Sequence, residues 1–183
     1  MSALKTRPDI RVEANGAWMY RDQTINNPGI LNYFKAELRR DEDGYYIENR
    51  FGERREHGYL EAVHGLPVQA VAIEPYMSPA QEMRLWVRLD YGAELDLPGS
   101  ALLILGEGCL AVMMENRGFP ARLSGGAMAS LVTYLHTDGE EHYYLVMPHQ
   151  KGRNKLALSR APIERYLQKD APDIQAASAP PGA

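Results

Sequence analysis

A single cysteine, Cys109, stands in a chain of 183 residues, so no intrachain disulfide can form. A fold that does without disulfides suits a reducing compartment, and the expected location is the cytoplasm. Bulky aromatics other than tyrosine are scarce: three Phe and two Trp against eleven Tyr. The core must therefore be mostly aliphatic, with tyrosine rings supplying what aromatic packing there is. Neither sign of charge dominates, since 20 Lys and Arg face 24 Asp and Glu for a net charge of -4. Without a basic excess, neither a nucleic acid nor an acidic membrane surface is an expected partner. Long apolar runs are missing too. The most apolar stretch, residues 101–114, carries Glu107 and two glycines, and it falls short of the roughly 20 residues that cross a bilayer. Met1 to Ile10 lack the apolar core of a signal peptide. No membrane span is expected.

What is present is an ordinary globular composition, 45% hydrophobic and 24% charged, arranged twice in one order. The first copy opens on Ile10-Arg-Val-Glu-Ala14, turns at Asn15-Gly16 and returns as Ala17-Trp-Met-Tyr20. An Asn-Gly pair between apolar runs signals a hairpin, because both turn residues must tolerate positive φ. The second copy opens on Leu102-Leu-Ile-Leu105, turns at Gly106-Glu107-Gly108 and returns as Cys109-Leu-Ala-Val-Met113. A helix follows each hairpin. Asn27 caps the first and Pro28 starts it, where a missing N–H costs nothing. Ile30, Leu31, Phe34 and Leu38 then recur at helical spacing. Ser124 caps the second, with Met128, Leu131, Val132 and Leu135 as its apolar face.

Each helix leaves through an acidic glycine turn, Asp41 to Gly44 or Asp138 to Glu141, into a tyrosine pair, Tyr45-Tyr46 or Tyr143-Tyr144. A charged turn, a further strand and a Pro plus aliphatic, Pro67-Val68 or Pro162-Ile163, close each copy. The expected architecture is α+β: two tandem diverged β-β-α-β-β units with mainly antiparallel sheets, packed as one compact two-lobed protein. The first lobe spans residues 8–78. The second spans 79–170 and ends on a short helix around Ile163 to Leu167. Residues 171–183, rich in Ala and Pro, form a disordered tail. Between the copies, Arg84 to Tyr91 alternates polar and apolar residues and predicts a half-buried strand.

Trp18-Met-Tyr20, Ile30-Leu-Asn-Tyr-Phe34, Leu38-Arg-Arg40, Asp43-Gly-Tyr-Tyr46 and Ala121-Arg-Leu123 together resemble a bacterial protein family of unknown function. The likeness runs over residues 10–158 and departs at Glu61 to His64, where the family is expected to be more acidic. It implies a two-lobed α+β fold and carries no activity, so it transfers no catalytic residues.

Four features mimic chemistry. Leu123-Ser-Gly-Gly126 looks like the signature loop of ABC-type ATPases, but no phosphate-cradling G-x-x-x-x-G-K-[ST] loop accompanies it. Gly106 and Gly108 imitate a dinucleotide fingerprint, yet they join two hairpin strands rather than a strand and a helix. Cys109 sits in an apolar strand without a local histidine partner, as packing cysteines do. The five histidines, His57, His64, His136, His142 and His149, include no pair spaced i, i+4 on a helix. No metal or cofactor is expected.

The densest basic cluster, Arg50, Arg54 and Arg55, is interleaved with Glu48, Glu53 and Glu56, the pattern of a solvated hairpin. The expected function is a non-catalytic binding or regulatory module that engages a protein or small ligand at a surface between the lobes. Arg50, Tyr46, Arg122, Tyr144 and His142 are its candidate ligand-binding residues. One alternative is a small hydrolase-like enzyme drawing on His136, His142, Arg122 and Glu141. The other is a homodimer subunit joined through strand edges.

Overall fold

The computed structural model describes residues 3–106, 108–139, 142–149 and 152–170. The expected tail at 171–183, the turn residue Glu107 and the candidate Glu141 lie outside these. Packing sorts the described residues into two units. Residues 3–67 form the first together with 167–170, and 68–166 form the second. The division brings the strand after Val68 into the second unit and returns the last described residues to the first.

In the first unit the elements run β1 (Leu4–Thr6), β2 (Ile10–Val12), β3 (Trp18–Tyr20), β4 (Gln23–Thr24), α1 (Pro28–Glu37), β5 (Leu38–Asp41), β6 (Gly44–Phe51), β7 (Arg54–Tyr59) and β8 (Ala62–Val63). They build two four-stranded sheets, ordered β4-β3-β2-β8 and β1-β7-β6-β5. The Asn15-Gly16 turn forms as read, with Gly16 at φ 86° and Val12 paired to Trp18. Asn27 caps α1, its Oδ1 accepting the Ile30 N–H at 3.1 Å.

The expected reach of that helix to Leu38 is corrected. Leu38 turns extended at ψ 133° and pairs with Ile47 as the first residue of β5. Its side chain is fully buried, so the fourth member of the helical spacing belongs to a strand. The Arg39 guanidinium donates to the Ala36 and Leu38 carbonyls at 3.0 and 2.8 Å, satisfying acceptors where the helix stops.

The second unit begins with β9 (Gln69–Met77), β10 (Met83–Leu89) and β11 (Glu94–Pro98) and continues with β12 (Leu102–Leu105), β13 (Cys109–Met114), β14 (Phe119–Leu123) and α2 (Gly125–Leu131). It ends with β15 (Leu135–Thr137), β16 (Tyr143–His149), β17 (Gly152–Ala157) and β18 (Ser159–Ala161), then a 3-10 turn at Ile163–Tyr166 in the place of the expected terminal helix. A seven-stranded sheet is ordered β11-β10-β9-β14-β13-β12-β18, and β15-β16-β17 form a separate meander. Along β10 the alternation holds, with Leu85, Val87 and Leu89 buried. Ser124 caps α2 through the Ala127 N–H at 3.2 Å. Leu135 lies on β15, not on the helix, and Val132 is 67% exposed.

Both units contain the same run: a hairpin, a third antiparallel strand, a helix, a three-stranded meander and a closing strand parallel to the first of the hairpin. In the first unit these are β2 to β8, with β8 parallel to β2. In the second they are β12 to β18, with β18 parallel to β12. The run holds three more strands than the expected β-β-α-β-β script. Two of these, β4 at two residues and β5 at four, are too short to show periodicity in a sequence, and the strand expected over residues 59–63 divides into the end of β7 and β8. Leu38 pairs with Ile47, and Leu135 pairs with Leu145, immediately after each tyrosine pair.

Candidate functional site

The first unit holds an open groove of about 500 Å³ between the β2–β4 strands and α1. Ile10 on β2 and Tyr20 on β3 form one wall. Ile30 and Phe34, one helical turn apart on α1, form the other. β4 adds Gln23 and Thr24, and its link to the helix adds Ile25, Asn26 and Asn27, so the rim is carboxamide and hydroxyl over an apolar floor. Every lining side chain is uncharged. Tyr20 and Ile30 remain 47% and 48% exposed, which leaves the apolar side of α1 only partly covered.

The turn that brings β4 beside the groove is strained. Arg21 adopts φ 53°, a left-handed conformation costly for a residue with a Cβ. Asp9 holds it there: Arg21 N–H donates to the Asp9 carbonyl at 2.7 Å, and its Nε to the carboxylate at 3.0 Å.

The sheet β1-β7-β6-β5 carries a second group on one face. Tyr46 and Glu48 of β6 stand opposite Tyr59 and His57 of β7. The Tyr46 and His57 rings stack at 4.2 Å, and Tyr59 donates to Asp41 Oδ2 at 2.8 Å. Burial drives the His57 imidazole below its ordinary value despite Glu48 and Asp41, so it is neutral near pH 7. Burial and the Asp41 bond push the Tyr59 phenol well up, and burial raises Tyr46 as well. Burial favours the neutral form of Glu48. The Arg50 hydrogen bond and the charges of Arg50, Arg55 and Arg39 outweigh it, and the carboxyl lies below the usual range. These groups are poised to stack and to compensate one another. A neutral histidine without a hydrogen-bonded carboxylate and two phenols that resist ionisation make a poor acid–base pair.

In the second unit a smaller cavity of about 260 Å³ is bounded by Ile104 and Leu110 of the β12–β13 hairpin, Met128 of α2, Leu135 and His136 of β15, and Tyr143. Beside it, Asp138 accepts from the Tyr144 hydroxyl at 2.8 Å and lies 3.5 Å from His142 Nδ1. Lys155 Nζ sits 3.4 Å from the Tyr144 ring centre. Cys109 has its thiol pushed up by burial, against the nearby Arg122 charge, which is the reverse of nucleophile activation. Among the described residues, no three His, Cys, Asp or Glu side chains gather to hold a metal. No helix among them is long and apolar enough to cross a membrane.

The five candidates from sequence fall into both units. Tyr46 and Arg50 share a face of β6, where Arg50 ties to Glu48 at 3.2 Å. His142 and Tyr144 meet around Asp138. Arg122 is exposed on β14, in a different sheet from those two. Sequence reasoning missed the groove residues Gln23, Thr24 and Asn26, which carry no motif; the Asn-Asn-Pro entry to α1 was the only pointer to that place. It also missed His57, whose partner Tyr46 is reached across strands.

No family model matches this chain, and no curated relative matches it. Among solved structures it is similar to a DUF1285 family protein from Silicibacter pomeroyi DSS-3, at a TM-score of 0.59 and 17% identity. The likeness covers 79% of this chain and 78% of that one. At such identity it speaks for the fold alone. The resemblance read from sequence, to a family of unknown function, thus meets a structural neighbour from a domain family of unknown function, and no activity comes with it.

Proposed function

We propose that this chain is a non-catalytic binding module whose ligand site is the groove between β2–β4 and α1 of the first unit. The carrying observation is that about 500 Å³ of open space is walled only by uncharged side chains. This lies within the range of ligand sites, about 300–1,000 Å³. An ionised ligand would find no counter-charge on those walls and would pay its desolvation uncompensated. The fitting ligand is therefore neutral, with an apolar body against Ile10, Ile30 and Phe34 and an amide or hydroxyl group toward Gln23, Asn26 and Asn27. Tyr46 and Arg50 offer a separate polar surface on β6.

The proposal includes descent of the two units from one duplicated ancestor. Its support is the repeated strand order and pairing directions, together with the same Leu-to-aliphatic pair after each Tyr-Tyr. It includes a cytoplasmic location, which the lone Cys109 suits.

The test is a set of uncharged aromatic amides titrated into the full chain, followed by amide shifts in NMR. Saturable shifts confined to residues 20–34, lost in Ile30→Glu, are expected. No saturable shift in that segment would sink the reading.

A further inference from the structure

The second unit carries the same hairpin, third strand and helix, but with one addition. There the third strand, β14, is not an edge. β9 lies parallel along it, with Arg122 opposite Gln69 and Leu123 opposite Ala70. The Arg122 N–H donates to the Val68 carbonyl at 3.1 Å and the Ser124 N–H to the Ala70 carbonyl at 2.9 Å. β9 also runs against α2, and Ala70 and Ile73 of the strand are buried, as are Ala127 and Leu131 of the helix.

In the first unit the corresponding strand, β4, ends its sheet. Gln23 and Thr24 are exposed. The Ile25 N–H turns inward to the Trp18 carbonyl at 2.9 Å, so in an antiparallel ladder the alternate residues Thr24 and Asn26 aim their N–H groups outward. That gives two donors, two residues apart, as at Arg122 and Ser124. Beside them the groove opens, and Ile30 and Tyr33 of α1 are each 48% exposed. Among the described residues, the first unit has no strand in the place of the one that completes the second.

We infer that the β4 edge and the α1 groove receive an extended apolar segment of a partner protein, added parallel to β4 as β9 is added to β14. This deepens the binding reading above and rests on it, naming the occupant of the same groove. Main-chain bonds to Thr24 and Asn26 give the segment its register. Its inward side chains are small or β-branched, like Ala70 and Ile73, which face the same side of β9 across a bulge at Val71, and they enter the groove between Tyr20 and Ile30. A segment of that kind brings no charge to the uncharged walls.

The probe is a synthetic peptide of the β9 sequence from Val68 to Ile73, with blocked ends, titrated into the full chain and followed by amide shifts in NMR. Saturable shifts at Thr24, Asn26 and Ile30 are expected, with the Arg122 and Ser124 amides unmoved. Thr24→Pro removes the outward donor along with the Thr24 hydroxyl's bond to Met19 Sδ, and Ile30→Glu puts a charge on an exposed groove wall; each should weaken binding at least tenfold. A peptide carrying Asp at the Ala70 and Ile73 positions should not bind. If the uncharged amides bind and the peptide does not, the strand inference falls and the groove reading stands. If neither binds, both fall. Peptide shifts centred on β14, or self-association of the chain that Thr24→Pro abolishes, would give the edge a different occupant and overturn the inference.

Discussion

Gln168 reaches the first unit from the far end of the chain, and replacing it with Ala should destabilise that unit out of proportion to the size of the side chain. Its Oε1 accepts the Tyr45 N–H at 2.9 Å and its Nε2 donates to the Leu60 carbonyl at 2.8 Å. Tyr45 and Leu60 are both fully buried. The Gln168 backbone also exchanges two hydrogen bonds with Val63, at 2.7 and 2.8 Å, extending the sheet beyond β8. Gln168→Ala leaves the backbone pair intact and orphans one buried donor and one buried acceptor. Each orphan costs about 1–3 kcal/mol, and the half-exposed position of Gln168 admits some water, so the expected loss is about 2–3 kcal/mol. For a unit of this size that lowers Tm by roughly 10–20 °C.

A second variant isolates the contact. A Cβ at Gly44 would collide with Gln168 Oε1, at a φ of +125°. Gly44→Ala must therefore expel the carboxamide and strain the backbone. Because both changes break the same hydrogen bonds, their effects should fall short of additive in the double variant. Thermal unfolding followed by circular dichroism, with hydrogen exchange at Tyr45, reads all three proteins. A Gln168→Ala loss under about 0.5 kcal/mol, the range of an ordinary surface change, would refute the argument.

Three further outcomes are expected. His57 titrates below 6.5 because burial opposes its charge. The unfolded chain then binds the extra proton first, and stability should be full above 6.5 and fall as pH drops toward the folded value. His57→Phe should flatten that window in urea melts taken across pH, and an imidazole NMR midpoint at or above 6.5 would contradict it. Arg21→Asn should be neutral or stabilising in chemical denaturation, since Asn tolerates the left-handed region, while Arg21→Val should cost about 1–2 kcal/mol; equal effects would refute the assignment of strain. Trp18 is buried, with its Nε1 donating to the Pro67 carbonyl at 3.0 Å. Trp18→Phe strands that acceptor and empties space, so a loss of about 2–4 kcal/mol is expected, and a change within 0.5 kcal/mol would count against it.

Local chemistry was legible wherever a residue acts on its own neighbours. The Asn15-Gly16 turn, the Asn27 and Ser124 caps and the alternation along β10 all follow from rules about φ, N–H satisfaction and two-residue periodicity. Leu38 and Leu135 were misread because each continues the helical spacing of the residues before it. Pairing with Ile47 and Leu145 across the next turn outweighs that spacing. Gln168 gave no local signal at all, since its worth comes from two buried backbone groups more than a hundred residues away. The groove escaped notice because catalysis and ion binding leave motifs, whereas a neutral wall of Ile, Phe, Asn and Gln leaves none.

The central claim, that the first unit binds through its α1 groove, is tested most directly by affinity for one neutral aromatic amide across three proteins. These are the parent chain, Ile30→Glu in the groove and Met128→Glu on the smaller cavity of the second unit, each checked by circular dichroism for retained fold. The account predicts at least a tenfold weakening in Ile30→Glu and an unchanged affinity in Met128→Glu. Equal affinity in the parent and Ile30→Glu proteins, or loss in Met128→Glu alone, would contradict it.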